Sequence, residues 1–185
     1  MVMPPSSPAR DRILDAFEEL LTEQSERAAT LDAVAARAGV SKGGLLYHFA
    51  SKDALVEGVL ERLRSLVADD LERMRTAPAG PVDYFVRSSV SWQSALDRTV
   101  IAAARLAQGA DANARETLQQ MQQGWLGILE SAVADPIAAK AIMLIGDGIY
   151  YNSALLPSTT AVVKDEADMD RLIALVQELA GGSSR

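Results

Sequence analysis

Through most of this chain the apolar residues recur every three or four positions, and beyond residue 76 no segment sustains apolar and polar alternation or carries a hairpin turn signal. That spacing offers one face of an α-helix to a core and leaves a sheet nothing to be built from. From Arg10 to Glu23, for example, Ile13, Phe17, Leu20 and Leu21 fall on one helical face. The chain is read as all-α, with about nine helices. Those beyond residue 76 are marked off by Pro78 to Pro81, Asp97, Gly109 to Asp111, Asp135 with Pro136, and Pro157 to Asp165.

Local signals set the first boundaries. Thr30 can cap a short helix whose Leu31, Val34, Ala35 and Ala38 share a face, and Gly39 stands where a left-handed C-cap is needed. Ser41 can then cap a helix from Lys42 to about Phe49, and Ser51 a long one to about Arg75 with Leu55, Val59, Leu63 and Leu66 on its buried side. Although the chain has formal net charge -7, Ala33 to Lys52 contains no acid, three cations (Arg37, Lys42, Lys52) and the single histidine, His48. An acidic chain has kept one compact surface fit for phosphates.

Composition removes several classes of function. There is no cysteine among the 185 residues, so disulfides, a Cys-based zinc site and a thiol nucleophile are excluded, and a cytoplasmic setting is the default. Met1 to Pro8 lacks the charged and apolar regions of a signal peptide and reads as a tail. The most apolar long window, Ile137 to Leu156, is interrupted by Lys140, Asp147 and Asn152, which argues against a membrane span. The histidine lies inside the acid-free segment, no nucleophile elbow or phosphate loop occurs, and no carboxylates cluster at metal spacing. No catalytic or metal residue and no cofactor is therefore assigned, and a small-molecule hydrolase or transferase is the weakest reading.

A helix-turn-helix needs a small residue where its helices cross, a turn residue tolerant of positive φ, and apolar residues that lock the second helix down. Ala35, Gly39 and Leu45, the fifth, ninth and fifteenth positions counted from Leu31, meet all three. Beyond that, Val40 to Phe49 (Val-Ser-Lys-Gly-Gly-Leu-Leu-Tyr-His-Phe), followed by Ser51-Lys52-Asp53-Ala54-Leu55, resembles the DNA-binding domain of the tetracycline repressor family of bacterial regulators. The resemblance covers roughly Arg10 to Leu63. It implies a helical C-terminal domain that binds a small molecule and pairs with a second copy through its last two helices, here 137–156 and 165–180. The expected plan is a tail at 1–8, a DNA-binding domain at 9–51, a larger regulatory and dimerisation domain at 52–180 whose 52–75 is a connecting helix, and a tail at 181–185.

Within that frame Thr30 and Ser41 stand at helix N-termini, where hydroxyls and free N–H groups can hold phosphate oxygens. Lys42, Tyr47, His48 and Lys52 can reach phosphates beside a groove, and the resemblance makes these the family's backbone contacts. Arg37 reads better as an ordinary surface charge. Gly43 and Gly44 each cost about 1 kcal/mol relative to alanine in a helix, which close approach of the backbone to base edges would offset. The family often has a larger or polar residue where Gly44 stands, so readout by side chains looks thin and rests on Lys42, close approach and DNA shape.

In the C-terminal half, Phe85, Ser89, Trp92 and Leu96 share a face if Pro81 to Leu96 is one helix, and Leu118, Met121, Trp125 and Ile128 share another. Such stripes serve a core as readily as a pocket. Asp147 lies in an apolar run, where a buried carboxylate needs a partner: Tyr150, Tyr151 or a cationic ligand; an internal pair with an arginine such as Arg105, or partial exposure of the Asp, is the plainer alternative. The candidate effector residues are Phe85, Trp92, Met121, Trp125, Asp147, Tyr150 and Tyr151, enclosing a mainly apolar, aromatic or cationic molecule. The leading reading is a homodimeric repressor, released by such a molecule from a palindromic double-stranded operator, in the manner of multidrug sensors. A DNA-binding regulator without a small-molecule ligand is the alternative.

Overall fold

The computed structural model describes residues 8–24, 26–90, 94–155 and 162–181. Among the described residues there are nine α-helices and no strand: α1 (Pro8–Glu23), α2 (Leu31–Ala38), α3 (Lys42–His48), α4 (Lys52–Arg75), α5 (Pro81–Ser88), α6 (Ala95–Gln108), α7 (Ala112–Ala132), α8 (Pro136–Leu155) and α9 (Glu166–Gly181). They fall into two compact units, Met1–Leu66 with Ala95–Gln119, and Val67–Ser94 with Gln120–Arg185, so α4 and α7 each contribute to both.

The first unit is organised by its caps. Thr30 Oγ1 accepts from the Ala33 N–H at 3.2 Å, Ser41 Oγ from Gly44 at 3.0 Å and Ser51 Oγ from Ala54 at 3.1 Å. Each satisfies an otherwise orphaned helix donor and is worth about 1 kcal/mol. Gly39 takes the left-handed conformation (φ 66, ψ 35) that ends α2. Leu45 and Phe49 are buried, and a Cβ on Gly58 of α4 would lie 2.7 Å from Phe49 Cε1 and 3.0 Å from Leu14 Cδ2, so α4 comes as close as a glycine permits. The unit extends past the 9–51 expected for the head because Leu55, Val59, Leu60 and Leu63 are fully buried in it and α6 packs on α1.

A buried carboxylate fastens these helices. Glu18 of α1, 4% exposed, accepts from Arg62 of α4 at 3.2 Å and from the Thr99 hydroxyl of α6 at 3.0 Å. Burial raises its pKa, opposed by the Arg62 charge and by the Thr99 bond. Arg62 also donates to Asp15 at 2.6 Å. A charge this buried is tolerated because it is both paired and hydrogen-bonded.

In the second unit α5 packs on α8 and α9, and α8 packs on α9. Phe85, Val86, Ile142, Met143, Ile173 and Val176 belong to its core. Gly146 admits α5: a Cβ there would collide with Phe85 Cε1 and lie 2.9 Å from Ser89 Oγ. A Cβ on Gly148 would meet nothing within 4 Å. The single helix expected over Pro81 to Leu96 is corrected: α5 stops at Ser88, and Leu96 belongs to α6 in the other unit. The hydroxyls of Ser88 and Ser89 turn back onto the Phe85 carbonyl, at 3.1 and 2.8 Å, which is how serines compete with a helix ladder.

Candidate nucleic-acid interface

The turn at Gly39 and the two capping serines present α3 as a short outer helix held from below by Leu45. Tyr47 is 85% exposed and stands edge-on to His48, ring centroids 5.1 Å apart. Thr30, Ser41, Lys42 and Gly43 are exposed, while Gly44, His48 and Lys52 are half-buried. The two glycines differ. A Cβ on Gly43 would meet nothing within 4 Å, so nothing in the chain's own packing demands glycine there. At Gly44 it would lie 3.2 Å from the capping Ser41 Oγ, so part of that glycine's reason is internal.

The three cations of the acid-free segment are not left to solvent. Arg37 binds Glu19 and Glu23 of α1 at 3.0 Å each, Lys42 binds Asp32 at 3.0 Å, and Lys52 donates to the Glu26 main-chain oxygen at 2.5 Å with the Glu26 carboxylate at 3.5 Å. The Glu23 and Glu19 bonds raise the Arg37 pKa. Arg37 is therefore committed within the head, whereas Lys42, 57% exposed, is tethered loosely enough to exchange its carboxylate for a phosphate.

Among the candidate effector residues, the described ones lie in the second unit, where Phe85 and Trp125 stand 6.1 Å apart, Met121 is buried and Tyr150 is half-buried. Trp92 lies outside the described residues. Asp147 is half-buried, and among the described residues it makes no hydrogen bond or ion pair; desolvation raises its pKa. Arg105 bonds Gln108 instead, and Tyr151 is 64% exposed. Two grooves in this unit, of about 400 and 350 Å³, share Arg87, one lined also by Val90, Val163 and Met169 and the other by Ala77, Asp83 and Tyr84; none of the described effector candidates lines either. No helix among the described residues is long and apolar enough to cross a membrane, and none of them form a His, Cys, Asp or Glu cluster able to hold a metal.

Residues 13–59 match the profile of bacterial regulatory proteins of the tetR family, and residues 79–177 that of the tetracyclin repressor-like C-terminal domain. The chain belongs to the tetR family. It is 32% identical over 90 residues to the HTH-type transcriptional regulator UidR of Escherichia coli (strain K12), a match spanning 46% of this chain and 43% of UidR, less than half of that relative's length. In fold it is similar to a TetR family member, SCO1917 of Streptomyces coelicolor A3, with TM-score 0.70 and 22% identity over 95% of this chain and all of that one. It is also similar to the multidrug binding protein EbrR complexed with malachite green, with TM-score 0.66 and 22% identity over 95% of this chain and all of EbrR. The family profile over residues 13–59 is that of bacterial regulatory proteins, and UidR is an HTH-type transcriptional regulator.

Two features of this tetR member escape a reading of sequence. The acids that engage Lys42 and Lys52 lie just upstream of the acid-free segment, Asp32 immediately before it, and its sharp edge was the available signal. Asp70 of α4 accepts from Trp125 Nε1 at 2.9 Å and from the Tyr84 hydroxyl at 2.7 Å. Burial, then this bond, pushes the Tyr84 pKa up to about 12. Nothing local marks Asp70, because its partners lie 14 and 55 residues away.

Proposed function

We propose that this tetR regulator is a dimeric repressor that leaves a palindromic operator when a mainly apolar, aromatic, cationic molecule enters its C-terminal unit. The observation that carries the DNA part is α3, whose Tyr47 is almost fully exposed beside capped N–H groups at Thr30 and Ser41, with Lys42, His48 and Lys52 as further phosphate contacts and Gly43 and Gly44 as the surface facing the bases. Two such heads would fit half-sites about 34 Å apart. The effector part is supported by the Phe85 and Trp125 pair, by Met121, buried in the same unit, and by Asp147, a desolvated carboxylate with no partner among the described residues that a cation would relieve. Malachite green, the ligand of the similar EbrR, is an aromatic cation and a suitable probe.

A second reading, regulation without a small-molecule ligand, is favoured by Asp70. It already engages the polar ends of Trp125 and Tyr84, which ties them to the edge of the unit's core. Calorimetric titration with malachite green and its neutral leuco form separates the two, with a mobility shift of the DNA upstream of the gene alongside. The effector reading expects micromolar binding, release of DNA, and about tenfold weaker binding of the cation alone by Asp147→Asn. Equal response of that variant to both forms removes the cation from the reading. No binding by any lipophilic cation leaves the regulator without a ligand of this class.

A further inference from the structure

We propose that Glu26 acts as an internal stand-in for a DNA phosphate, holding Lys52 in the free protein and competing with DNA for it, and that the end of α6 supplies the seat that keeps Glu26 in position. The inference rests on the reading of Lys52 as a phosphate contact. Lys52 donates to the Glu26 main-chain oxygen at 2.5 Å and faces its carboxylate at 3.5 Å, and the two side chains are only 34% and 39% exposed. The other lysine pair of the head, Lys42 with Asp32, is 57% and 71% exposed. Water weakens the exposed pair far more than the shielded one, so Lys52 is the cation whose release opposes DNA binding. A phosphate arriving at Lys52 Nζ would meet the Glu26 carboxylate, and two anions on one ammonium repel.

Gly109, just past α6, leaves the space that the Glu26 carboxylate occupies. A Cβ at Gly109 would collide with Glu26 Oε2 and lie 3.3 Å from the Leu106 carbonyl. The turn itself gives no reason for glycine there, because the left-handed position is taken by Ala110, with φ 76. A side chain there would press on the Leu106 carbonyl and on the Glu26 carboxylate, and the carboxylate, at the end of a flexible side chain, would give way first. The turn after α6 is therefore a place from which the Glu26 carboxylate can be moved off Lys52 without altering any charge.

Binding to a mixed-sequence duplex about three helical turns long, at low salt, tests this by fluorescence anisotropy. Glu26→Gln and Gly109→Ala are each expected to bind about two- to five-fold tighter than the unmodified chain. Gly109→Ala matters because it displaces the carboxylate while leaving every charge in place. Both gains are expected to vanish when Lys52→Met is added, as a double-mutant cycle requires of residues that act through one another. Gains that persist beside Lys52→Met reduce Glu26 to a general negative charge and overturn the proposal, as does the absence of any gain. If Gly109→Ala fails to fold, the cycle of Glu26→Gln with Lys52→Met decides alone. An unaltered affinity in Lys52→Met defeats the reading of Lys52 itself, an outcome distinct from a phosphate-binding Lys52 that Glu26 does not restrain.

Discussion

At the scale of single residues, the acids of this chain are sorted by whether they have found a partner. Glu18 is buried deeper than Asp147 yet is held by Arg62 and Thr99, while desolvation alone acts on Asp147. Because burial raises the Asp147 pKa, the folded chain binds that proton more firmly than the unfolded chain does. The stability this gives is fully present below the ordinary aspartate pKa and is lost as the pH climbs through the raised value. At neutral pH the ionised side chain is therefore a burden that Asp147→Asn removes. The variant is expected to melt higher than the parent by about 1 to 2 °C at pH 7.5, a modest figure because the group is partly solvated, with the difference closing towards about pH 4. Calorimetric melts across that range check it. A variant that melts lower at neutral pH would mean that a partner already neutralises Asp147.

At the scale of elements, α2, α3 and the start of α4 were legible because their ends are decided within three or four residues, by Thr30, Gly39, Ser41 and Ser51. The break after α5 was not, since Phe85 and Ser89 keep a helical face going and the hydroxyl bonds that end the helix leave no periodic trace. The punctuation at Gly109 was seen but its surroundings were hidden: the turn uses Ala110, and the glycine lies against the Leu106 carbonyl and against Glu26, which is 83 positions earlier in the sequence. Likewise the basic character of the head was legible, and its pairing with Glu19, Glu23, Glu26 and Asp32 was not. In α3 the two glycines, alike in sequence, now make different predictions. Gly43→Ala fills open space, so it should stabilise the helix by up to about 1 kcal/mol while weakening DNA binding several-fold if the backbone there lies against bases. Gly44→Ala presses on the Ser41 cap at 3.2 Å and should gain less stability. Thermal melts beside anisotropy titrations separate the two effects. A Gly43→Ala variant that binds DNA as well as the parent would remove close approach as the reason for the glycine.

At the scale of the whole molecule, the second unit is unfinished as a single chain. Ile137, Leu144 and Tyr151 of α8 are 68%, 70% and 64% exposed and follow one another at seven-residue spacing, two helical turns, so they form one apolar stripe. Leu175 and Leu179 of α9, which packs beside α8, are 54% and 43% exposed. An all-round apolar helix with one side in water is what a two-fold, four-helix interface would cover, and Tyr151 then belongs to that stripe before it belongs to an effector site. Light scattering at micromolar concentration should therefore give twice the 19.8 kDa of one chain. Leu144→Glu and Leu175→Glu should give the single-chain mass with an unchanged helical spectrum, since neither side chain is part of the chain's own core. Separating the heads also removes the second binding event from a palindrome, which is worth roughly a hundredfold or more in affinity. Operator binding by these variants should fall by at least that factor, while binding of one head to a half-site stays close to the parent's. A parent chain that scatters as a monomer, or a Leu144→Glu variant that keeps both its mass and its operator affinity, would place the dimer contact elsewhere and leave the α8 stripe unexplained.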